Sequence, residues 1–492
     1  MKYPEVNQQN SLGPEDWYRH PLEKWVPRWW VQAILRFISA DRPGTAGPHL
    51  YRAVITYGDE HAPAHERLLY WPIHQLIDRM RGSMTRPQLR AKLGGHISTV
   101  RGILSTSRSL GHYGLTTPQR WEHPLFVVWN FTNACNLRCR HCYQSSNPRP
   151  AAGELTLAEK LGLIDQLAQK WTAMVAFAGG EPTISEDLEP CLERCRQYHM
   201  HTTIATNGTL LTPEKCRRLA ATGLRYIEVS LDSVHADRHD AFRGVPGMWR
   251  RSVQGIKNVV ATPGLRAGLA MCVHRQNVDE VEEMIRFALG LGVSCFAHFN
   301  FIPVGRGRDM IDLDITPAQR EQLLATLRRW METRQIGIIS TAPQFGRVCL
   351  SHLDPNALVS CSHAGNGAGT KARVIAKYLG GCGAGRTYAC VQPNGDVTPC
   401  VYMPQRIMGN VCEKPFAQIF QQSPWWDTFC NRDQREGNCG ACDFKLFCGG
   451  CRARADAYFG RLDHSDPGCP CNQDLWQQIN REPTPAAQPL VV

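Results

Sequence analysis

Three closely spaced cysteines constrain the fold of this chain more than any other feature of its sequence. Cys135, Cys139 and Cys142 stand in a Cys-x3-Cys-x2-Cys spacing directly after the apolar segment 125–131. Three thiolates can bind three irons of a [4Fe–4S] cluster, whereas complete ligation by protein takes four. The spacing therefore predicts a cluster with one open iron. The alternatives are a zinc site with a distant fourth ligand, or three unrelated buried cysteines.

The residues around and after this loop show a repeating pattern. Short apolar segments alternate with amphipathic helical ones, which is typical of strand–helix units. The candidate strands are 125–131, 174–177, 202–205, 226–231, 268–273 and 295–301, and the candidate helices are 156–171, 185–198, 212–221, 249–260 and 278–291. Six such units predict an α/β fold whose parallel sheet curls into a partial (β/α)6 barrel. Working residues would then lie on loops after the carboxyl ends of the strands.

The predicted barrel, residues 121–315, lies between regions of different character. Residues 1–120 contain helical stretches at 72–81 and 85–107 and no ligand spacing, so their role stays unassigned. Residues 316–358 are predicted to be a helical connector. Residues 359–475 are rich in Gly and Cys and poor in apolar runs, which favours a small domain held together by metal sites. Residues 476–492 are predicted to be a disordered tail.

Composition narrows the class of protein further. The chain has 492 residues, of which 21 are cysteines, and neither a signal sequence nor an apolar run long enough to span a membrane. We therefore expect a cytoplasmic protein whose cysteines bind metal rather than form disulfides. The net charge of +11 is scattered along the chain. It indicates a solvated basic surface first, an anionic substrate second and a nucleic-acid partner third.

The cysteine loop, Phe-Thr-Asn-Ala-Cys-Asn-Leu-Arg-Cys-Arg-His-Cys-Tyr, resembles that of the radical S-adenosylmethionine (SAM) superfamily, which carries this spacing after the first barrel strand. The resemblance implies that the open iron chelates SAM. One electron, from a donor such as ferredoxin or flavodoxin, would then cleave SAM to a 5′-deoxyadenosyl radical. It also implies that His141, just before the third cysteine, packs near the adenine. An ordinary exposed histidine is the alternative.

A second motif, Gly179-Gly180-Glu181-Pro182, follows the second candidate strand. Glycines let the backbone come close to a ligand, so main-chain groups here could meet the amino group of SAM. The tetrapeptide is similar to the Gly-Gly-Glu-Pro motif of the superfamily. A plain turn is the alternative reading.

Polar residues also follow the third and fourth candidate strands. Asn207 ends the third, and Ser230 and Asp232 end the fourth, where such side chains are suited to bind a ribose. The resemblance assigns ribose binding to Ser230 and, through the same Ser-x-Asp motif, to Asp232.

Two further contacts with SAM are implied by the resemblance. Arg243 lies in a segment similar to the one that supplies an arginine for the SAM carboxylate, a pairing favoured by bidentate geometry. A surface role for Arg243, or replacement by Arg250 or Arg251, is the alternative. Ile302, in the segment 301–307, matches the backbone that contacts adenine, with a simple turn as the alternative.

A cysteine array follows near the C-terminus. Any four of its thiolates would satisfy zinc, so spacing alone leaves the metal open. The array resembles the SPASM extension of radical SAM enzymes, which holds one or two auxiliary [4Fe–4S] clusters. The resemblance implies one ligand set, here called set A, of Cys439, Cys442, Cys448 and Cys469, and a second, set B, of Cys382, Cys400 and Cys451, with Cys390 or Cys361 as a fourth ligand. Only two residues separate Cys448 from Cys451, one fewer than the common pattern, which counts against set B.

The remaining cysteines that we considered are predicted to be buried apolar residues: Cys191, Cys195, Cys216, Cys272, Cys295, Cys349, Cys412 and Cys430. The sequence assigns no catalytic side chain. The motif around Cys448 and the segment 381–386 are similar to the branch of the superfamily that acts in alternative haem pathways. This implies a tetrapyrrole substrate whose propionates are oxidatively decarboxylated or removed. The alternatives are a maturase of a ribosomal peptide or partner enzyme, and a non-catalytic electron-transfer or zinc protein.

Overall fold

A ten-stranded sheet forms the centre of the protein. In the computed structural model of the chain, residues 21–42, 44, 47–82, 84–94, 97–350, 358–360 and 366–481 are described. The strands are β1 (Phe126–Thr132), β2 (Met174–Gly179), β3 (His201–Thr206), β4 (Tyr226–Ser230), β5 (Arg266–Val273), β6 (Cys295–Asn300), β7 (Gly337–Ser340), β8 (Leu358–Ser360), β9 (Asn366–Ala368), β10 (Tyr388–Val391), β11 (Asp396–Thr398) and β12 (Gly409–Asn410). The sheet order is β12-β11-β10-β1-β2-β3-β4-β5-β6-β7, and β8 pairs with β9 separately.

Helices precede the sheet and connect its strands. They are α1 (Pro21–Trp25), α2 (Trp29–Ser39), α3 (His49–Ile55), α4 (Ala64–Leu69), α5 (Trp71–Met80), α6 (Arg86–Gly94), α7 (Ile97–Tyr113), α8 (Leu157–Gln169), α9 (Leu188–Gln197), α10 (Pro213–Ala221), α11 (Ala236–Arg243), α12 (Met248–Val260), α13 (Val281–Gly290), α14 (Pro317–Thr333), α15 (Gln344–Leu350), α16 (Gly369–Leu379), α17 (Phe416–Gln421), α18 (Trp426–Cys430), α19 (Gly437–Ala441), α20 (Arg452–Phe459) and α21 (Gln473–Arg481). Among the helices described, none is long and apolar enough to cross a bilayer.

The predicted fold class, an α/β partial barrel with a helical N-terminal region and a cysteine-rich C-terminal region, is confirmed. Strands β1 to β7 are parallel neighbours, and β10 adds to the other side of β1 in parallel. Strand β7 lies within the segment predicted to be a helical connector. It was not predicted because its four residues are too few to show an alternating pattern. The prediction of a disordered tail at 476–492 is wrong for residues 476–481, which belong to α21 and bury Trp476. Residues 482–492 lie outside the described part.

The N-terminal helices dock onto the barrel through one buried arginine. Arg101 of α7 donates to the carbonyl oxygens of Ala168 and Thr172, each at 2.8 Å, and to that of Tyr198 at 3.0 Å. Its guanidinium also lies over the Trp171 ring, 5.1 Å from the centroid. The helical region is thereby fixed to the connections on either side of β2.

A buried charge network joins the barrel to the C-terminal region. Asp314, which follows β6, is fully buried and pairs with Arg320 of α14 at 2.5 Å and Arg454 of α20 at 3.1 Å. Tyr458 of α20 donates to the same carboxylate at 3.1 Å. Because both arginines are also buried, this carboxylate supplies the negative charge that they need.

Replacing Asp314 with Ala is therefore expected to destabilise the protein by about 3–5 kcal/mol, the usual cost of leaving a buried charge without its partner. Urea unfolding followed by circular dichroism measures the change. Glu282→Ala, which breaks an exposed pair with Arg286, is the matched control, with an expected cost below about 1 kcal/mol. Equal effects of the two variants would contradict the role assigned to Asp314.

Candidate active site and auxiliary cysteine sets

The three-cysteine motif lies on a loop after β1 that folds back on itself. The main-chain N–H of Cys135 donates to the carbonyl of Asn147 at 2.8 Å, which closes the loop. Cys135 and Cys139 are buried, Cys142 is half-buried, and all three pack in one small apolar group that also contains Met248. The structure therefore brings the three predicted ligands together at the carboxyl end of β1.

The thiols of Cys135 and Cys139 are protonated when no metal is bound. Burial raises the pKa of Cys135 to about 12 and also raises the pKa of Cys139, although Arg243 opposes the second shift. Because metal ligation requires the thiolate, iron must displace these protons, and cluster binding is predicted to release protons to solvent.

The loop after β2 presses directly against the cysteine loop. The N–H groups of Gly180 and Glu181 donate to the carbonyls of Thr132 and Ala134, at 2.7 and 2.8 Å. A Cβ atom on Gly180 would lie 2.2 Å from the Ala134 oxygen, so no larger residue fits this approach. The close contact with the cysteine loop thus explains why glycine is needed at position 180 of the Gly-Gly-Glu-Pro motif.

The Glu181 carboxylate ties neighbouring loops together. It is fully buried and accepts from the Thr183 N–H at 3.1 Å, the Thr206 hydroxyl at 2.7 Å and the Asn207 N–H at 2.8 Å. Burial raises its pKa despite these donors. Its side chain is therefore engaged inside the protein, and any contact of this motif with SAM would come from the main chain.

Asn207 and Ser230 lie after adjacent strands. The Asn207 amide donates to Asn136 of the cysteine loop at 2.8 Å, and its carbonyl oxygen accepts from the Thr209 N–H at 2.9 Å. Ser230 is half-buried at the end of β4. The structure places both residues at the edge of the sheet that carries the cysteines, as predicted from their positions after strands.

Asp232 and Arg243 form a buried ion pair beside the cysteines. The Nε of Arg243 donates to Asp232 at 2.6 Å, and its Nη1 lies 3.8 Å from the Cys139 sulfur. Burial alone would raise the pKa of Asp232, but the charge of Arg243 outweighs it and holds that pKa below its usual value. The alternatives Arg250 and Arg251 are exposed on α12. Arg243 is thus the arginine held beside the loop.

His141 stacks on a phenylalanine rather than pointing to solvent. Its ring lies parallel to that of Phe242 at 4.1 Å, and Phe242 in turn contacts His274 at 4.2 Å. Burial lowers the pKa of His141 to about 3, so the ring is neutral at physiological pH. Its Nδ1 is buried and has no hydrogen-bond partner among the described residues. A neutral ring with an unused nitrogen is suited to contact a planar, polar ligand such as adenine.

Set B comes together around Ile302. Cys382, Cys400 and Cys451 belong to one apolar group with Ile302. The hydroxyl of Tyr388 donates to the Cys400 sulfur at 2.9 Å. The departure in spacing therefore does not keep these three cysteines apart.

The fourth ligand of set B is not identified by the structure. Cys390 is buried on β10, and its sulfur accepts from Gln392 at 3.6 Å. It is not part of the apolar group that holds the other three cysteines. Cys361, the other candidate, lies outside the described residues.

Set A lines a single small cavity. Its four cysteines, Cys439, Cys442, Cys448 and Cys469, share that cavity with Cys471, Asn472 and Arg347. Main-chain N–H groups point at two of the sulfurs, from Asp466 to Cys439 and from Gly450 to Cys448, both at 3.4 Å. Such donors stabilise thiolate ligands. Sequence reasoning missed Cys471, whose Cys-Pro-Cys spacing with Cys469 was the available signal.

Buried arginines surround both auxiliary sets. They are Arg347, Arg386, Arg432, Arg435, Arg452 and Arg454. Arg435 interacts electrostatically with Cys382 of set B and with Cys439 and Cys448 of set A. Within the described part of the chain, its Nε and Nη1 atoms are buried without a hydrogen-bond partner, and burial lowers its pKa to about 9. Anionic clusters on both sides would supply the acceptors and counter-charge that such a guanidinium needs, so the site fits these cofactors.

The two glycines between Cys448 and Cys451 make room for these arginines. A Cβ on Gly449 would lie 2.5 Å from Arg435 Nη1 and 3.0 Å from Arg432 Nε, and Gly449 has a φ of +64°. The short spacing thus brings guanidinium groups against the backbone that links set A to set B.

Within the described part of the chain, no three Cys, His, Asp or Glu side chains are arranged to hold a single metal ion. The thiolates of a [4Fe–4S] cluster bind different irons, so they need not converge on one point.

Comparisons with known proteins agree with this geometry. The profile of the Radical SAM superfamily matches residues 129–288, and that of the SPASM iron–sulfur cluster-binding domain matches residues 382–443. An AdoMet-dependent heme synthase of Methanosarcina barkeri is 32% identical over 348 residues, which are 70% of this chain and 96% of that protein. The chain belongs to the radical SAM superfamily. It is an enzyme that uses SAM and [4Fe–4S] clusters.

Two further likenesses bear on this radical SAM enzyme. A mycofactocin maturase of Mycobacterium tuberculosis is 31% identical over 357 residues, 71% of this chain and 83% of that protein. The structure of Streptococcus suis SuiB bound to S-adenosylmethionine aligns with a TM-score of 0.60 and 17% identity, covering 85% of this chain and 92% of that one. At that identity the second likeness shows a shared fold.

Replacing Gly180 with Ala is expected to destabilise the protein by about 1–3 kcal/mol, because the methyl group would collide with the Ala134 carbonyl and push the cysteine loop away. Thermal unfolding and iron content after anaerobic reconstitution measure both effects. Gly162→Ala on α8, where a Cβ meets nothing within 4 Å, is the control. If Gly180→Ala keeps full iron content and stability, the contact is not required.

Proposed function

We propose that this enzyme cleaves SAM at a cluster held by Cys135, Cys139 and Cys142, and uses the radical on the propionate side chains of a tetrapyrrole. Oxidative decarboxylation or removal of those side chains would be the reaction. The observation that carries the proposal is the similarity to a heme synthase over 96% of that protein's length. The grouping of two auxiliary cysteine sets near the barrel supports it.

When bound, the clusters supply an electron that cleaves SAM to a 5′-deoxyadenosyl radical and an acceptor for the electron that the substrate loses. The chain's own residues would position SAM. Arg243, held by Asp232, presents its guanidinium for the SAM carboxylate, and Ser230 is proposed to bind the ribose. His141, stacked on Phe242, would form the adenine wall.

Two further proposed contacts, both from the main chain, complete the SAM site. The main chain of Gly179 and Gly180 would meet the amino group, and the backbone of Ile302 would contact the adenine. The Asn207 amide holds the cysteine loop in place through Asn136.

We also propose a cytoplasmic location, with a ferredoxin or flavodoxin as electron donor.

A second candidate function is maturation of a ribosomal peptide or partner enzyme. The 31% identity to a mycofactocin maturase favours it, because that identity nearly equals the identity to the heme synthase.

Incubating the reduced protein with SAM and either propionate-bearing tetrapyrroles or candidate peptides distinguishes the two functions. We expect the tetrapyrrole to lose carbon dioxide and two hydrogens for each propionate converted, detected by mass spectrometry. A mass change in a peptide alone would contradict the tetrapyrrole reaction and support peptide maturation. Release of 5′-deoxyadenosine without any change in either substrate class would contradict both.

Replacing Cys139 with Ala is expected to abolish release of 5′-deoxyadenosine, because two thiolates cannot hold the open-site cluster. The auxiliary clusters would remain, so the iron content falls by about four atoms per chain. Chromatography of the reaction mixture and iron analysis make the measurement. Cys412→Ser is the control and keeps both values. The prediction that Cys412 is buried is wrong, because it is the one exposed cysteine among those described. Undiminished cleavage by Cys139→Ala would refute the assignment.

Replacing Arg435 with Gln is expected to lower the reduction potentials of both auxiliary clusters, because loss of a nearby buried positive charge disfavours the added electron. A tenfold change in the reduction equilibrium corresponds to about 59 mV for one electron. Redox titration followed by electron paramagnetic resonance measures the reduction potentials. Arg101→Gln is the control, because Arg101 is also buried but contacts the barrel and not the auxiliary cysteines. A shift in one cluster alone would show that Arg435 does not lie between two clusters.

A further inference from the structure

Helix α2 has an apolar stripe that the other described elements leave partly exposed. Trp30, Ile34 and Phe37 follow one another at i, i+4 and i+7, so they lie on one side of the helix. They are 41%, 50% and 59% exposed. The opposite side packs on α7, where a Cβ on Gly111 would lie 2.9 Å from the main-chain nitrogen of Arg36. An exposed aromatic and aliphatic stripe is costly in water and usually marks an interaction site.

This stripe continues across neighbouring helices through ring contacts. Phe37 contacts His49 of α3 at 5.5 Å, and His49 contacts Tyr70 at 5.8 Å. On either side of Tyr70, Leu69 and Trp71 are 57% and 59% exposed. We call Trp30, Ile34, Phe37, Leu69 and Trp71 together the apolar face.

Exposed apolar side chains concentrate in this part of the chain. Among the described residues, ten of the seventeen exposed large hydrophobic side chains lie between residues 25 and 76. Trp29 and Leu68, next to the apolar face in sequence, are the most protruding at 78% and 79%. Apolar side chains that are almost fully exposed can insert between the lipids of a bilayer.

The exposed charges on the helices that carry the apolar face have one sign, whereas the segments between these helices contain two exposed acidic residues, Asp41, which pairs with Arg108, and Glu60. In helices α1, α2, α4 and α5 and the residue before α2, the exposed charged side chains are Lys24, Arg28, Arg36, Arg67 and Arg79. The acidic side chains of the same helices are all in ion pairs, Glu23 with Lys377, Glu66 with Arg52, and Asp78 with Arg81 and Arg86. The outward surface is therefore basic as well as apolar.

We propose that the N-terminal helices dock this enzyme on an anionic lipid bilayer, with the apolar face inserted at the level of the headgroups. Tryptophan rings favour the membrane interface, and Lys and Arg side chains at its edge are attracted by anionic lipids. A second copy of the chain is disfavoured as occupant, because two basic surfaces would repel. The inference goes beyond the proposed function and does not depend on the substrate.

The test is flotation of the full chain with vesicles of phosphatidylglycerol and phosphatidylcholine, compared with vesicles of phosphatidylcholine alone. We expect binding to the anionic vesicles, at least about tenfold weaker binding to the neutral ones, and release by high salt. The triple variant Trp30→Ser, Phe37→Ser, Trp71→Ser is expected to bind at least about tenfold less. The matched control is Ile375→Ser with Ile407→Ser, which removes exposed apolar side chains elsewhere, at 49% and 48% exposure.

Three results would overturn the proposal. One is failure of the full chain to float with either vesicle. Another is equal binding by the triple variant and the control. The third is sedimentation showing that the triple substitution only dissociates a dimer or a complex with an acidic protein, without changing vesicle binding. Circular dichroism and iron content confirm that the triple variant is folded and loaded. Release of 5′-deoxyadenosine without lipid tests the proposed function separately, so failure of one is distinguishable from failure of the other.

Discussion

The contact between the loop after β2 and the cysteine loop is the constraint on which the rest of the site depends. The consecutive N–H groups of Gly180 and Glu181 donate hydrogen bonds to the carbonyls at the end of β1 and in the loop that carries Cys135. The Glu181 carboxylate then holds the loop after β3. Because these bonds are buried, main-chain geometry fixes where the three thiols lie in the barrel.

Much of the fold and of this site could be predicted from sequence, because both follow from local rules. Parallel strands buried on both faces appear as short apolar runs, and polar residues after them must meet at one edge of the sheet. Asn207, Ser230 and Asp232 were found in this way. The Cys135 loop was found because cluster ligation imposes a spacing that few other roles require.

The remainder could not be predicted because it depends on long-range packing. Strand β7 has only four residues, too few for a periodic signal. The pairing of Arg454 with Asp314 joins residues 140 positions apart. Arg243 pairs with Asp232, and Arg320 with Asp314, from a helix to the loop that precedes it, which no sequence pattern indicates. The engagement of Glu181 inside the protein was equally hidden, since the motif alone suggested a ligand contact. Cys471 was not predicted because the four cysteines of set A already suffice to bind one cluster.

The arginines around sets A and B carry a consequence for the life of the protein in the cell. Among the described residues, guanidinium groups such as that of Arg435 are buried with N–H groups that lack a protein acceptor. Without the thiolate charge that a bound cluster retains, this region holds several buried positive charges close together, which favours opening of the chain. Opened chains are substrates for cellular proteases. Loss of the clusters would therefore shorten the lifetime of the folded enzyme.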